Sequence, residues 1–200
     1  MTITARRPTC PACLRPASAC ICRWVTPVAS RAGLLVLQHP LEVHNAKNSA
    51  RLLHLCLAGS RLAVGEAFDP AGLDALLHAD GRMPVLLYPA TPDAPAPPMP
   101  VLPPEDVLLV VLDATWRKSR KMLHLNPALR ALPRLALDAA PPSAYRIRKA
   151  HAPHQLSTLE AAAHALALLD GDAGRYRPLL SAFDGFVQQQ AAFMSPAASA

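Results

Sequence analysis

The stretch VLLVVLDATW, Val107 to Trp116, decides how this chain folds. Val107 to Leu112 is an unbroken aliphatic run, half of it β-branched, and it reads as a strand. The run does not alternate with polar residues, so both faces must be covered by other elements, as in a parallel sheet flanked by helices. Its place is the middle of that sheet. Asp113 then breaks the apolar run, and Trp116 to Leu125 reads as a helix carrying Arg117, Lys118, Arg120 and Lys121. Outward toward the N-terminus, Met83–Tyr88, Arg61–Val64 and Gly33–Gln38 read as strands, with helices at Leu73–His78 and Asn48–Leu57 between them. Toward the C-terminus, Pro133–Leu137 is a further strand. Leu159 to Leu169 is a helix with Ser157 or Thr158 as its N-cap and Glu160 in its first turn, and residues 177–194 form a last helix before a fraying tail at 195–200. Strands alternating with helices predict an α/β fold with a mostly parallel sheet.

The 200 residues suffice for one principal core with a small appendage. Residues 1–30 are expected to form the appendage and 31–194 the main domain. The content is 52% hydrophobic and 17% charged, and the 22 prolines cluster in a few stretches, one of them residues 89–104, which excludes a wholly disordered chain. No apolar run approaches the roughly 18 residues of a membrane span, and no apolar signal region follows Arg6 and Arg7, so a cytoplasmic protein is expected. The eight glycines include no Gly-x-Gly pair, which excludes a dinucleotide fingerprint and a P-loop. The net charge is +6, and sixteen of the 20 basic residues are arginine, suited to bidentate phosphate contact. Aromatics are only 4%, so a surface built mainly on base stacking is excluded.

Four of the five cysteines stand at Cys10-x2-Cys13-x6-Cys20-x-Cys22. Four thiolates this close in sequence can converge on one tetrahedral zinc. With every position filled by protein, such a site is structural. Cys56, on the apolar face of a helix, belongs to the core.

In open α/β sheets ligands bind at the carboxyl ends of the strands, and polar groups follow each strand here. His39-Pro40-Leu41-Glu42 follows the first, Tyr88-Pro89 the third, Asp113 to Trp116 the central one. After Pro133–Leu137 come Tyr145, Arg146, Arg148 and Lys149, then Leu156, Ser157, Thr158 and Glu160. Four such groups would meet on one sheet edge as a composite site. Local alternatives stand beside that reading. Asp113 or Thr115 fits as an N-cap with Trp116 as a packing anchor, His39 as the end of a strand, and Asn48 as a helix cap.

Taken in order, the cysteine cluster, His39-Pro40-x-Glu42, Asn48-Ser49, Tyr88-Pro89, Asp113-x-Thr115-Trp116, Tyr145-Arg146-x-Arg148-Lys149 and Leu156-Ser157-Thr158-x-Glu160 resemble the DTW-domain family of tRNA-uridine aminocarboxypropyltransferases. Ser49 stands where the family has threonine, which keeps the hydroxyl. The resemblance implies a fold similar to the SPOUT RNA methyltransferases, with a C-terminal trefoil knot that holds S-adenosylmethionine. It implies transfer of the aminocarboxypropyl group to N3 of a tRNA uridine, with methylthioadenosine released. Asp113 would be the base that takes the N3 proton. Tyr88, Thr115, Trp116, Tyr145, Arg146, Leu156, Ser157, Thr158 and Glu160 would hold S-adenosylmethionine. His39, Glu42, Asn48, Arg117, Lys118, Arg120, Lys121, Arg148 and Lys149 would face the tRNA.

Two other functions fit the same residues. A SPOUT methyltransferase would use the same cofactor and basic surface but move the methyl group. A non-catalytic zinc-knuckle RNA-binding protein would use the cysteines and the charge, and would leave the group around Asp113 unexplained. The sequence leaves open a monomer or a homodimer.

Overall fold

The computed structural model describes residues 8–89, 97–137, 143 and 156–194. Five strands, β1 (Gly33–Gln38), β2 (Arg61–Val64), β3 (Met83–Leu87), β4 (Val107–Asp113) and β5 (Arg134–Leu135), form one sheet in the order β2-β1-β4-β3-β5. Every pairing is parallel. The aliphatic run is therefore the central strand, as its lack of alternation requires.

The pleat sorts that run onto two cores. Val107, Leu109 and Val111 face α1 (Ala50–Cys56), α5 (Thr158–Asp170) and α6 (Arg177–Met194), while Leu108 and Val110 face α2 (Pro70–His78), α3 (Trp116–Leu125) and α4 (Pro127–Ala131). The result is a helix–sheet–helix sandwich. Each layer follows from its sequence. In α5 the fully buried Leu159, Ala162, Ala163 and Leu166 recur at helical spacing, and burying a leucine contributes about 1.5–3 kcal/mol. Ser157 begins α5 with a complete capping box to Glu160, and Gly171, at φ 65°, ends it in the left-handed conformation that only glycine adopts freely. In α3 the buried Ser119, Met122 and Leu123 face the sheet, and the basic residues lie outside.

Register places the site. Gln38 pairs with Asp113 across β1 and β4, so the two polar residues that end these apolar strands lie side by side. The start of α5 packs at the same edge: the Thr158 hydroxyl reaches Asp113, and the Leu159 amide donates to the Ser49 hydroxyl at 3.3 Å.

The N-terminal segment joins the α1/α5/α6 core through Cys13, Ile21 and Val28. Trp24 lies flat against α6, where a Cβ on Gly185 would collide with the indole. Only glycine fits there. Gln189 accepts from Trp24 Nε1 at 2.5 Å and donates to the Cys20 carbonyl at 3.1 Å. Arg15 stacks over Phe186 at 5.0 Å and donates to the carbonyls of Ala46 at 2.7 Å and Asn48 at 2.8 Å. No helix among the described residues is long and apolar enough to cross a membrane.

Candidate functional site

Asp113 is the centre of the sheet edge. It is 4% exposed, and three neutral side chains converge on its carboxylate. Oδ1 accepts from Thr158 Oγ1 at 2.7 Å; Oδ2 accepts from Gln38 Nε2 at 2.8 Å and from Asn48 Nδ2 at 2.5 Å. Asn48 is fixed in turn, because its Oδ1 accepts from Gln38 at 3.3 Å and from the Ala50 amide at 3.0 Å. Burial pushes the Asp113 carboxyl above the usual carboxylate range; the three donors work against that rise, and nearby Glu42 adds to it. No cation among the described residues touches it, and Asp113 is a buried carboxylate whose proton affinity is raised. That is the property a general base needs.

Two adjoining cavities lie at this sheet edge, and Asp113 lines the smaller. The larger, about 250 Å³, is mainly apolar and is walled by Leu87, Tyr88, Val111, Trp116, Leu135, Leu137 and Leu156. Tyr88 and Trp116 meet edge to face at 5.5 Å, and Trp116 is 48% exposed at its rim. The smaller, about 150 Å³, is polar and is lined by Glu42, Asn45, Lys47, Asn48, Asp113 and Thr115. Ala114, Ser157 and Thr158 line both, so the cavities adjoin across the first turn of α5. An apolar compartment with aromatic rings beside a polar one with a buried base suits two ligands that react with each other.

The four N-terminal thiols form a second site. Their sulfurs all lie within 4.8 Å of one another, with Cys10–Cys22 at 3.6 Å and Cys13–Cys20 at 3.8 Å. Four sulfurs about 2.3 Å from one tetrahedral zinc stand about 3.8 Å apart, so the donor set fits. Backbone amides of Cys13 and Ala12 draw the Cys10 thiol down to about 6, whereas desolvation and the neighbouring sulfurs push Cys22 up to about 12. A bound cation is what lets all four ionise together.

The profile of the family described as the DTW domain matches residues 7–191. This chain belongs to the DTW domain family. It is similar to proteins named tRNA-uridine aminocarboxypropyltransferase 2: 32% identical over 180 residues to that of Drosophila melanogaster, 30% over 181 to that of Mus musculus and 29% over 177 to that of Macaca fascicularis. Each match covers 82% of this chain, 68% of the fly protein and 57% of the mouse and macaque proteins. The chain thus spans little more than half the length of the two mammalian relatives. No solved structure matches it.

Within this DTW domain some of the expected strand-end residues line the two cavities and others do not, and several local alternatives are settled. Neither Asp113 nor Thr115 caps α3 with its side chain: Asp113 turns to β1 and α5, and Thr115 occupies the N-cap position without a side-chain hydrogen bond. Thr115 lines the polar cavity, while Tyr88, Trp116 and Leu156 line the apolar one. Glu160 lines neither, because its carboxylate accepts from the Ser157 amide at 2.7 Å and the Ser143 hydroxyl at 2.9 Å. His39 also stands outside both cavities. Its Nδ1 accepts from the Leu41 amide at 3.1 Å, which leaves Nε2 as the donor toward Glu66 at 3.0 Å. Glu42 holds Lys118 at 2.8 Å, and Glu66 holds Lys121 at 2.9 Å. Lys121 first, then His39, hold the Glu66 carboxyl below its usual range. Tyr145, Arg146, Arg148 and Lys149 lie outside the described residues.

Sequence reasoning missed three members of the site. Gln38 carried a signal, a polar residue ending a run that is otherwise buried. Glu66 had none, since it belongs to no motif and reaches His39 and Lys121 only through the fold. Arg134 was hidden in a weak strand; its guanidinium lies 5.0 Å from the Tyr88 ring centre and backs the aromatic wall.

Proposed function

We propose that this DTW domain is a tRNA-modifying transferase that moves the 3-amino-3-carboxypropyl group of S-adenosylmethionine to N3 of a tRNA uridine and releases 5′-methylthioadenosine. The observation that carries the reading is Asp113: a buried carboxylate with no cation partner among the described residues, lining a polar cavity that adjoins an apolar one. Its support from kinship is the names of the relatives, which state a transferase acting on tRNA uridine.

Uridine N3 carries a proton, and it must lose that proton to become a nucleophile. A carboxylate with raised proton affinity beside the polar cavity answers that need. Tyr88, Trp116 and Leu156 would pack the adenosine part of the co-substrate in the apolar cavity, with Ser157 and Thr158 at the boundary. Asn48 and Glu42 would contact the base or its ribose in the polar cavity. S-adenosylmethionine supplies an electrophilic carbon on a sulfonium, and the chain's task is to exclude water and align N3 with that carbon. The SPOUT assignment and its knot belong to this proposal too; the segment that would close the knot, 138–155, is outside the described residues apart from Ser143. Arg146, Arg148 and Lys149 fall in that segment and are proposed as anion contacts. The ion at Cys10, Cys13, Cys20 and Cys22 is proposed to be a structural zinc held by thiols that stay reduced in the cytoplasm.

The test is incubation of the purified protein with S-adenosylmethionine and unmodified tRNA, followed by mass spectrometry of the nucleosides and the small co-product. Aminocarboxypropyluridine with methylthioadenosine, lost at least about 100-fold in Asp113→Asn, is the expected result. A methylated nucleoside with S-adenosylhomocysteine would move the domain to the methyltransferases. An unmodified pool with RNA binding intact would leave an RNA-binding module.

A further inference from the structure

Among the described residues, the junction of the two cavities holds one side-chain oxygen that is free to act. Of the three residues that line both, Ala114 has no polar atom. Ser157 is 2% exposed, and its hydroxyl is committed to the Glu160 amide at 3.2 Å as the cap of α5. Thr158 remains. Its hydroxyl donates to Asp113 Oδ1 at 2.7 Å, and among the described residues its oxygen accepts nothing, on a residue that lines both cavities. Asp113 is placed differently. Both lone pairs of Oδ2 are taken by Gln38 and Asn48, one of Oδ1 by Thr158, and Asp113 lines only the polar cavity, not the junction. The group that would meet a reactant between the two cavities is the threonine hydroxyl, with the carboxylate directly behind it.

We propose that Thr158 is a catalytic proton relay: its Oγ1 takes the proton from the nucleophilic ring nitrogen while its own proton passes to Asp113 Oδ1. This rests on the transferase reading above. The balance is simple. The N–H bond breaks and its pair remains on nitrogen, which forms the new N–C bond; the C–S bond breaks and its pair returns to sulfur, giving a neutral thioether. One proton is gained by Asp113 and later lost to water. The hydroxyl accepts and donates in one motion, so it never carries a charge. The arrangement explains why a residue at the first position of a helix, which needs no side-chain function there, turns its hydroxyl toward a buried carboxylate.

The charged groups around the polar cavity are Glu42 after β1, Lys47 before α1 and Lys118 on α3, which is paired with Glu42; Glu160 of α5 is turned into its capping box. None of them touches Thr158 Oγ1 or Asp113 among the described residues.

The test compares wild type, Thr158→Val, Thr158→Ala and Thr158→Ser with S-adenosylmethionine and tRNA, reading kcat, KM and the pH profile of kcat, with thermal melting as the check on folding. The relay predicts that Thr158→Ser keeps kcat within a few-fold, while Thr158→Val and Thr158→Ala lose about 10²–10⁴-fold at every pH with KM for S-adenosylmethionine little changed. If Asp113 took the proton directly, loss of the threonine donor would raise its proton affinity. The profile of either variant would then shift to higher pH and recover the wild-type plateau, which overturns the relay. A rise in KM alone, with kcat kept, overturns it too, as a pure binding role. If valine alone unfolds the chain, the alanine and serine variants decide. A wild type that makes no aminocarboxypropyluridine fails earlier, at the transferase reading, and is separable from the other outcomes.

Discussion

The cysteine cluster and the Asp113 site are built in opposite ways. Cys10, Cys13, Cys20 and Cys22 lie within thirteen residues, and two tight turns bring their sulfurs together. The donors to Asp113 come from 45, 65 and 75 positions away, from α5, from the segment before α1 and from β1. The first site needs only a short stretch of backbone; the second exists only when the sheet is in register. The two are also joined. Arg15, between the paired cysteines, holds the carbonyls of Ala46 and Asn48, and the Asn48 side chain holds Asp113. The local site thus supports the composite one from behind.

The largest expected effect comes from breaking the local site. Cys13 is buried, and Cys13→Ser removes one of four ligands. Metal binding in isolated zinc-finger peptides is linked to about 10–16 kcal/mol of folding, comparable to the roughly 5–15 kcal/mol that holds a whole domain. Metal content should fall from one equivalent to near none and Tm by about 10 °C or more, with transferase activity falling as the Arg15 contact loosens. An unchanged Tm in a variant without metal would show that the thiols serve only as core residues and that the two sites are independent.

The same contrast governs what could be read in the sequence. Each element that rests on a local pattern was legible: the β4 run, the helical spacing of α5 with its Ser157 and Glu160, and the cysteine spacing. The short α4, Pro127–Ala131, was missed because five residues show no period. That polar groups follow the strands of a parallel sheet was legible, but the hydrogen bonds that Gln38, Asn48 and Thr158 make to Asp113 were not. Asp113 and Thr115 sit where N-caps sit, and only the donors supplied by β1 and α5 turn Asp113 away from that role. In α3 the spacing of Lys118 and Lys121 showed a basic face and gave no hint that each has an acid waiting on another segment.

Asp113→Asn sharpens the comparison, because it should act on stability with the opposite sign to the cysteine change. An ionised Asp113 carries the cost of burial with no cation beside it among the described residues. The amide is isosteric: its oxygen can accept from Gln38 and Asn48, and the Thr158 hydroxyl can rotate to accept from its nitrogen. The variant should be more stable by on the order of 1 kcal/mol, about 2–4 °C of Tm, while activity is lost. The sign with pH follows from the raised folded-state value. Wild type bears the whole cost above that value, and the cost vanishes as pH falls through it to the ordinary value of 3.8, so the advantage of the variant shrinks on acidification. Melting both proteins at pH 8 and pH 5 checks this. A variant less stable at both would make Asp113 a structural residue first.

The smallest effect tests whether the basic face of α3 is one surface or two. Arg117 and Arg120, three residues apart and exposed, have no ion pair among the described residues, whereas Lys118 and Lys121 are held by Glu42 and Glu66. An unpaired cation releases a counterion when it neutralises a phosphate; a lysine already paired with a carboxylate gains less. Replacing Arg117 and Arg120 by alanine should weaken tRNA binding equally across tRNA species and lower the slope of log K against log salt by about 0.7–0.9 for each phosphate no longer neutralised. Lys121→Ala should leave that slope nearly unchanged and only release Glu66, whose bond to His39 remains. Equal slopes for Arg117→Ala and Lys121→Ala, measured across a salt series, would mean that RNA takes Lys121 from Glu66 on binding. His39 and Glu66 would then belong to the RNA-binding surface and not only to its support.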